Sequence, residues 1–352
     1  MNPSFFLLLM SFCLASAGPV FGSPADTARA HVADTARVSI ADSGSAPVVM
    51  RFGGDVWLGG YYESAVGESV SVAFSGFTLM SDADIAMVNL EHPVTTRGKK
   101  VPKPYNFRMH PRFLRAITDA GIDLVTIANN HVFDYGREGF FDTISYLDSV
   151  GIQHVGAGVN RDEAHRPVVL SVRGRRIGFL AYYGGGEAPG AGESSPGVAR
   201  REPGPVTMDI LNLKNILQAD YVVINLHWGT EKADTPDLSQ QAFARSLIDA
   251  GANAVIGHHP HVLQGIETYH SGVIVYSLGN LVFGGNSRDT YNTGVFEICL
   301  TADGPSYRFI PVGVREWRAE ILAGADSARV TDTMRRLSRR FTSTILHNKE
   351  SQ

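Results

Sequence analysis

Twelve of the 352 residues are histidine, and three of them, His258, His259 and His261, fall within AVIGHHPHVLQGIE at the end of an apolar run. Buried imidazoles need hydrogen-bond partners, and three together repel one another once protonated, so something must hold them neutral. The same position, just after an apolar run, is taken elsewhere by other residues that bind metals or move protons. Asp55 follows VVMRFGG, Glu91 follows AMVNL, Asn129, Asn130 and His131 follow LVTIA, and His227 follows VVINL. In open α/β sheets ligands bind outside the carboxyl ends of the strands, so these separate segments can converge on one place. Singly, each has a plain structural alternative: Asp55 in a turn, Asn130 as a helix cap, His227 as a core histidine. Together they argue for one pocket. Carboxylate, amide oxygen and imidazole without thiolate suit Mn, Fe, Zn or, with more oxygen, Mg. One or two such divalent metal ions would hold the imidazoles neutral, acidify a bound water and stabilise charge developing in hydrolysis.

The elements that must position these residues alternate along the chain, the pattern of a layered α/β domain. PVVMRFGGD, ADIAMVNLE, IDLVTIANN, YVVINLHWG, ANAVIGHH and VIVYSLGN read as strands. HPRFLRAITDAG, GREGFFDTISYLDSVG and LSQQAFARSLIDAG read as helices ending in a glycine C-cap. Hairpins are expected at Gly174 and at Asp303–Gly304, which makes the sheets mixed. Cys299 lies in one of these strands and reads as an inert buried thiol. The folded domain is expected over 47–322. The segment 323–352 forms a C-terminal basic amphipathic helix and tail: Val330, Met334, Leu337 and Phe341 take helical spacing beside Arg335, Arg336, Arg339 and Arg340. Its basic face reads as solvated, with a membrane-surface or partner role as the alternative.

A hydrophobic content of 44% supports a packed core, and a formal net charge of −4 argues against a general nucleic-acid binder. The opening MNPSFFLLLMSFCLASA reads as a signal peptide over 1–17, extending to 23 at most, with a retained membrane anchor as the alternative. Residues 18–46, rich in Ala, Ser and Asp, read as a disordered linker. These features place the chain outside the cytoplasm, in the periplasm or associated with the cell envelope. In KPYNFRM, Lys103, Tyr105 and Arg108 are candidates for binding an anionic substrate, the alternative being a surface ion pair. The glycine-rich YYGGGEAPGAGESSPG is a loop that could cover the crevice.

GGDVWLGG, VNLEHPVT, KPYNFRMHP, the long ANNHVFDYGREGFFDTISYLDSVGIQHVGAG block, LHWGTE, GHHPHVLQGIE and YSLGNLVF occur in an order that resembles the CapA/PgsA family of bacterial capsule and poly-γ-glutamate synthesis proteins. The resemblance runs from about Val48 to Phe283. That family is similar in turn to the calcineurin-like metallophosphoesterases, which implies a four-layer α/β/β/α sandwich of two mixed sheets with helices outside. It implies that Asp55 supplies the first-motif carboxylate, that Glu91 stands where a metal-bridging Asp is usual, and that Asn130 and His131 form the Asn-His motif. His131 would be the general acid for the leaving group. His227, His259 and His261 would complete the metal ligands, His258 replacing His259 if the loop is shifted, and His258 and Asn280 of YSLGN would face substrate. Two positions depart from the superfamily pattern: Trp57 stands where the second residue of an Asp-x-His pair is expected, and Glu91 is longer than Asp. The implied activity is a metal-dependent hydrolase acting on an anionic envelope polymer such as poly-γ-glutamate, alongside membrane-bound capsule synthesis components. A non-catalytic, metal-dependent accessory for export and a scaffold with a degenerate site are the alternatives.

Overall fold

The computed structural model describes residues 31–33, 46–285 and 288–341; the export signal at 1–17, most of the 18–46 segment and the tail beyond 341 lie outside the described residues. Two mixed sheets face each other. One has seven strands in the order His31–Ala33, Val168–Val172, Arg175–Tyr183, Tyr221–His227, Ala254–His258, Gly272–Val275 and Ile266–Tyr269. The other runs Arg318–Ile321, Gly304–Arg315, Tyr291–Thr301, Val48–Trp57, Ile85–Leu90, Leu124–Thr126 and Gln153–Val155, with Asn280–Phe283 paired to the end of Val48–Trp57. The strands that end in polar residues run parallel to their neighbours, so their carboxyl ends lie on one side.

Side-chain alternation explains the layers. Every residue of Tyr221–His227 is buried, as a strand covered on both faces requires. Val222, Ile224 and Leu226 pack with Ile210 and Leu213 of the helix Pro203–Asn215 and with Ala244 and Leu247 of the helix Leu238–Asp249. Tyr221 and Val223, of opposite parity, enter a larger core shared with the other sheet. There Val48, Met50 and Phe52 join Leu114 and Ile117 of the helix Leu114–Asp119 and Phe140 of the helix Gly136–Ser149. The result is the expected sequence of helix, sheet, sheet and helix, with each fully buried Val, Leu or Ile contributing about 1.5–3 kcal/mol.

Most expected elements are present, with two local corrections. HPRFLRAITDAG does not form one helix: Pro111–Phe113 is a 3-10 turn, and the α-helix starts at Leu114. His110 caps that turn, its ring accepting from Arg112 N, and Pro111 fits the first turn because it has no N–H to satisfy. Cys299 is only half-buried, because alternation in Tyr291–Thr301 leaves it on the less covered face together with Glu297 and Thr301. The hairpins at Gly174 and at Asp303–Gly304 form. The helix Gly324–Ser338 docks through Val330, Met334 and Leu337, with Phe341 buried beyond its end, and Ser338 Oγ accepts from Ile266 N at 2.9 Å. Among the described residues, no helix is long and apolar enough to cross a membrane.

Two glycines let the strands close up beside the polar row. A Cβ on Gly54 would lie 1.9 Å from Gly279 O, and one on Gly257 would lie 1.9 Å from Tyr276 O. The neighbouring backbone occupies the space a side chain would need, and Asp55 N donates to Gly279 O at 2.8 Å.

Candidate metal centre

Each sheet contributes a row of polar residues across three adjacent strands. In the eight-stranded sheet Asp55 is in register with Asn89 on one side and Asn280 on the other. In the seven-stranded sheet His227 is in register with Tyr183 and His258. Parity turns the second row toward the first: His227 follows Tyr221 and Val223 on the inter-sheet face, and His258 follows Ala254 and Ile256. Glu91, two residues past Asn89, lies on the same side of its strand.

The rows meet. His261 Nδ1 lies 3.1 Å from Asp55 Oδ2 and its Nε2 lies 3.5 Å from Glu91 Oε1. His227 Nε2 is 3.7 Å from Glu91 Oε1, and His258 Nδ1 is 3.5 Å from Asp55 Oδ1. Three overlapping groups have ligand atoms within 4.8 Å of one another: Asp55–Glu91–His261, Glu91–His227–His259 and Glu231–His259–His261. Glu91 belongs to two of them, as do His259 and His261, so the donors suit one ion or an adjacent pair.

The loop carrying His259 and His261 is held in a costly backbone conformation. His259 has φ 98° and His261 φ 57°, both in the region that side chains with a Cβ seldom occupy. Part of what fixes it is the His259 N–H, which donates to Asp55 Oδ2 at 3.3 Å. Strain of this kind persists where surrounding contacts over-determine the geometry, and here it aims two imidazoles at the carboxylates.

Several buried donor and acceptor atoms in this cluster have no hydrogen-bond partner: Glu91 Oε1, both ring nitrogens of His258, and His259 Nδ1. An unsatisfied buried polar group costs about 1–3 kcal/mol, so the protein chain alone leaves the cluster incomplete. A divalent cation fits these N and O donors. The electrostatics agree. Burial, reinforced by the charge of Asp55, pushes the Glu91 carboxyl well above its ordinary value. For Asp55 burial acts upward too, but the imidazoles of His258 and His261 close beside it outweigh it and hold the carboxyl well below the usual range. Burial, together with His259, drives His227 well down, and burial with His261 lowers His259, so both imidazoles are neutral and ready to coordinate.

Asn89 ties the two carboxylates together. Its Nδ2 donates to Asp55 Oδ1 at 2.8 Å and to Glu91 Oε2 at 3.2 Å, while its own Oδ1 accepts from Asn129 Nδ2 at 3.1 Å. Asn129 Oδ1 then accepts from the backbone of His131 and Val132, which fixes the turn carrying Asn130 and His131. Asn130 Oδ1 lies 2.9 Å from His227 Nε2.

His131 forms a buried dyad with Asp134, whose Oδ2 is 2.6 Å from His131 Nδ1. Phe107 stacks on the imidazole with ring centroids 3.7 Å apart, and Trp57 stacks on Phe107 at 3.9 Å. Burial lowers His131 below the ordinary imidazole value, against the upward pull of Asp134. Trp57 cannot ligate a cation; its Nε1 donates to Arg108 O at 2.9 Å and its ring supports the column that carries His131.

The structure therefore brings together Asp55, Glu91, Asn130, His131, His227, His258, His259 and His261. Asn280 joins them, its Oδ1 2.8 Å from His261 Nδ1. Lys103 is drawn in as well, but its ammonium is engaged by Asp134 and by Asn130 O at 2.8 Å. Tyr105 and Arg108 stand exposed, and Arg108 lays its guanidinium 4.8 Å above the Tyr135 ring instead of reaching the cluster. Four participants carry no sequence signal of their own strong enough to name them: Asn89, Asp134, Glu231 and Glu187. Glu187 lies in the glycine-rich loop and accepts from Tyr183 Oη at 2.8 Å.

The pattern for bacterial capsule synthesis protein PGA_cap matches residues 49–285, which span every one of these site residues. The chain belongs to this family. It is 31% identical over 279 residues to the capsule biosynthesis protein CapA of Bacillus anthracis, covering 76% of this chain and 68% of that protein. It is 31% identical over 274 residues to the PGA biosynthesis protein CapA of Bacillus subtilis, covering 75% and 71% respectively. Looser likenesses among solved structures include the NAD nucleotidase of Haemophilus influenzae (13% identity, TM-score 0.45, 83% of this chain and 56% of that one). Another is the 5'-nucleotidase of Candida albicans (12% identity, TM-score 0.42, 85% and 56%). The capsule synthesis chain thus spans little more than half of those two nucleotidases.

Proposed function

We propose that this capsule synthesis family member holds one or two divalent cations between its sheets and uses them to hydrolyse a phosphoester or a backbone linkage in an anionic polymer of the cell envelope. The observation that carries the reading is the convergence of Asp55, Glu91, His227, His259 and His261, with buried ring and carboxylate atoms that lack partners within the protein. A divalent cation bound there supplies Lewis-acid polarisation of a phosphoryl or carbonyl oxygen. The residues of the chain do the rest. Asn89 keeps the two carboxylates in register, and Asp134 holds Nδ1 of His131, so that Nε2 is the edge available for proton exchange with a leaving group. Lys103 balances the charge of Asp134 and holds the backbone at Asn130. The export-type N-terminus and the family support a reading in which the work is done outside the cytoplasm, beside membrane-bound capsule synthesis components, with poly-γ-glutamate as the favoured polymer.

Elemental analysis and turnover of a chromogenic phosphodiester by the purified protein test the proposal. His227→Ala combined with His261→Ala should lose both metal and activity. Full activity in that variant once it is metal-free would end the proposal.

A second reading, a cation-dependent holder of the polymer without turnover, is favoured by Trp57, which removes one expected ligand and lends its ring to packing. His131→Ala separates the two readings, since a proton donor matters for turnover and little for grip.

A further inference from the structure

The sequence reads the C-terminal helix as a docked element with a solvated basic face. In the structure one residue of that face, Arg336, borders a cavity of about 560 Å³ that opens beside His261 and Asn280. Its walls carry four cations, Lys232, Arg288, Arg329 and Arg336, against one carboxylate, Asp234. Arg329, Thr333 and Arg336 all line it from the helix Gly324–Ser338. Their spacing of i, i+4 and i+7 puts them on one stripe. Seven residues of helix set the two guanidinium-bearing positions about 10 Å apart along the axis, two full turns. An extended chain covers that distance in about three residues.

The two arginines are not locked away. Arg336 faces Asp234 at 3.8 Å with both side chains about 60% exposed, and Arg329 pairs with Asp326 three residues earlier on its own helix. Exposed pairs of this kind are worth little, so either guanidinium can be taken over by a better acceptor. Lys232 directly follows Glu231, a member of the outer ligand group, and His261 belongs to both the cavity wall and the cluster. The cavity is therefore continuous with the cation site on a protein whose overall charge is −4. A local basic track on a net acidic chain selects an anion that reaches the cluster from this side.

We propose that this cavity is a subsite for a linear polycarboxylate strand, with Arg329 and Arg336 gripping two carboxylates of one strand that lie about 10 Å apart while another part of the strand sits at the cations. Guanidinium groups bind carboxylates in bidentate fashion, and the two-turn spacing demands a ligand bearing repeated charges rather than a single anion. The proposal rests on the reading of the cluster as a cation site that works on an anionic polymer, and it adds where the polymer runs.

The test uses the whole chain and a fluorescent γ-linked glutamate decamer. Arg329→Ala with Arg336→Ala should weaken decamer binding about tenfold at low salt and flatten its salt dependence, since two contacts of a screened, exposed kind are lost. The charge-conserving double lysine variant should recover only part of the affinity, since it restores the charge without the bidentate grip, and Arg340→Ala, outside the cavity wall, should change it less than twofold. Unchanged decamer affinity in the double alanine variant would overturn the proposal. So would tighter binding of a polyphosphate of equal charge, which would reassign the track to phosphate polymers. Metal content, measured on the same samples, is a separate readout: a metal-free parent that still binds the decamer through the two arginines would sink the reading of the cluster and leave the track standing.

Discussion

The two rows that meet between the sheets are chemical opposites. One is amide, carboxylate, amide: Asn280, Asp55 and Asn89. The other is phenol, imidazole, imidazole: Tyr183, His227 and His258. Each row is built by nothing more than cross-strand register between parallel strands, yet burial acts on the two in opposite senses. It pushes Glu91, beside the first row, toward its protonated form and drives His227 in the second toward its neutral form. The difference teaches that burial leaves Glu91 and His227 uncharged while the imidazoles beside Asp55 keep that carboxylate ionised, a pairing of charge and neutral donors that suits a cation.

Breaking the oxygen row should have the largest effect. Asp55→Ala should remove bound metal entirely and bring turnover to background, read by elemental analysis and a phosphodiester assay; retained stoichiometric metal would mean that the imidazole row is sufficient alone. Next comes the residue that belongs to neither row. His131→Ala should lower turnover by about 10²–10⁴-fold while leaving metal content and polymer affinity intact, and equal losses in all three would show that His131 is a structural prop. Asn89→Ala probes the clamp within the oxygen row, and its expected cost is about 10–100-fold in metal affinity, the usual range for residues that orient ligands. Competition with a chromogenic chelator would measure it.

The smallest effect lies outside the site and sharpens the contrast between a buried carboxylate without a cationic partner and one that an arginine holds. A hydrogen bond from Arg97 holds the Asp142 carboxyl below its ordinary value, with Thr95 assisting. A depressed folded-state value stabilises the fold above the unfolded carboxyl's titration range, near pH 4. That contribution fades as pH falls through the folded value. Asp142→Asn should therefore be slightly less stable than the parent at neutral pH and equal to it in strong acid. Urea unfolding at several pH values would show this, and a gap that widened on acidification would refute it.

Much of this arrangement is legible along the chain because period-two alternation is a local property. Asp55, Glu91, His227 and His258 each follow an apolar run, and the strands end where the runs do. The four-layer order likewise follows from runs buried on both faces. Other parts depend on pairing between distant strands. Asn89 reads as one polar residue inside AMVNLE, and only its register with Asp55 turns it into a clamp. Glu231 lies in the loop after His227, where no periodicity says which way a side chain turns. Asp134 follows His131 by three positions, a spacing that signals a possible partner but equally suits a turn. The basic residues divided for a related reason: Lys103 found a buried acid, Arg108 found an aromatic face, and Arg329 and Arg336 found a cavity that exists only once the terminal helix has docked.

His259 and Asp55 stand 204 positions apart and touch across the gap between the sheets. No fragment of the chain that ends before residue 254 contains the cluster's three-histidine loop, so neither sheet can capture an ion during synthesis or partial folding. Contacts of such long sequence separation form late. On the reading of the cluster as a cation site, the choice of metal is thereby postponed until the whole chain has folded, and the ion supply where folding finishes decides what the protein carries.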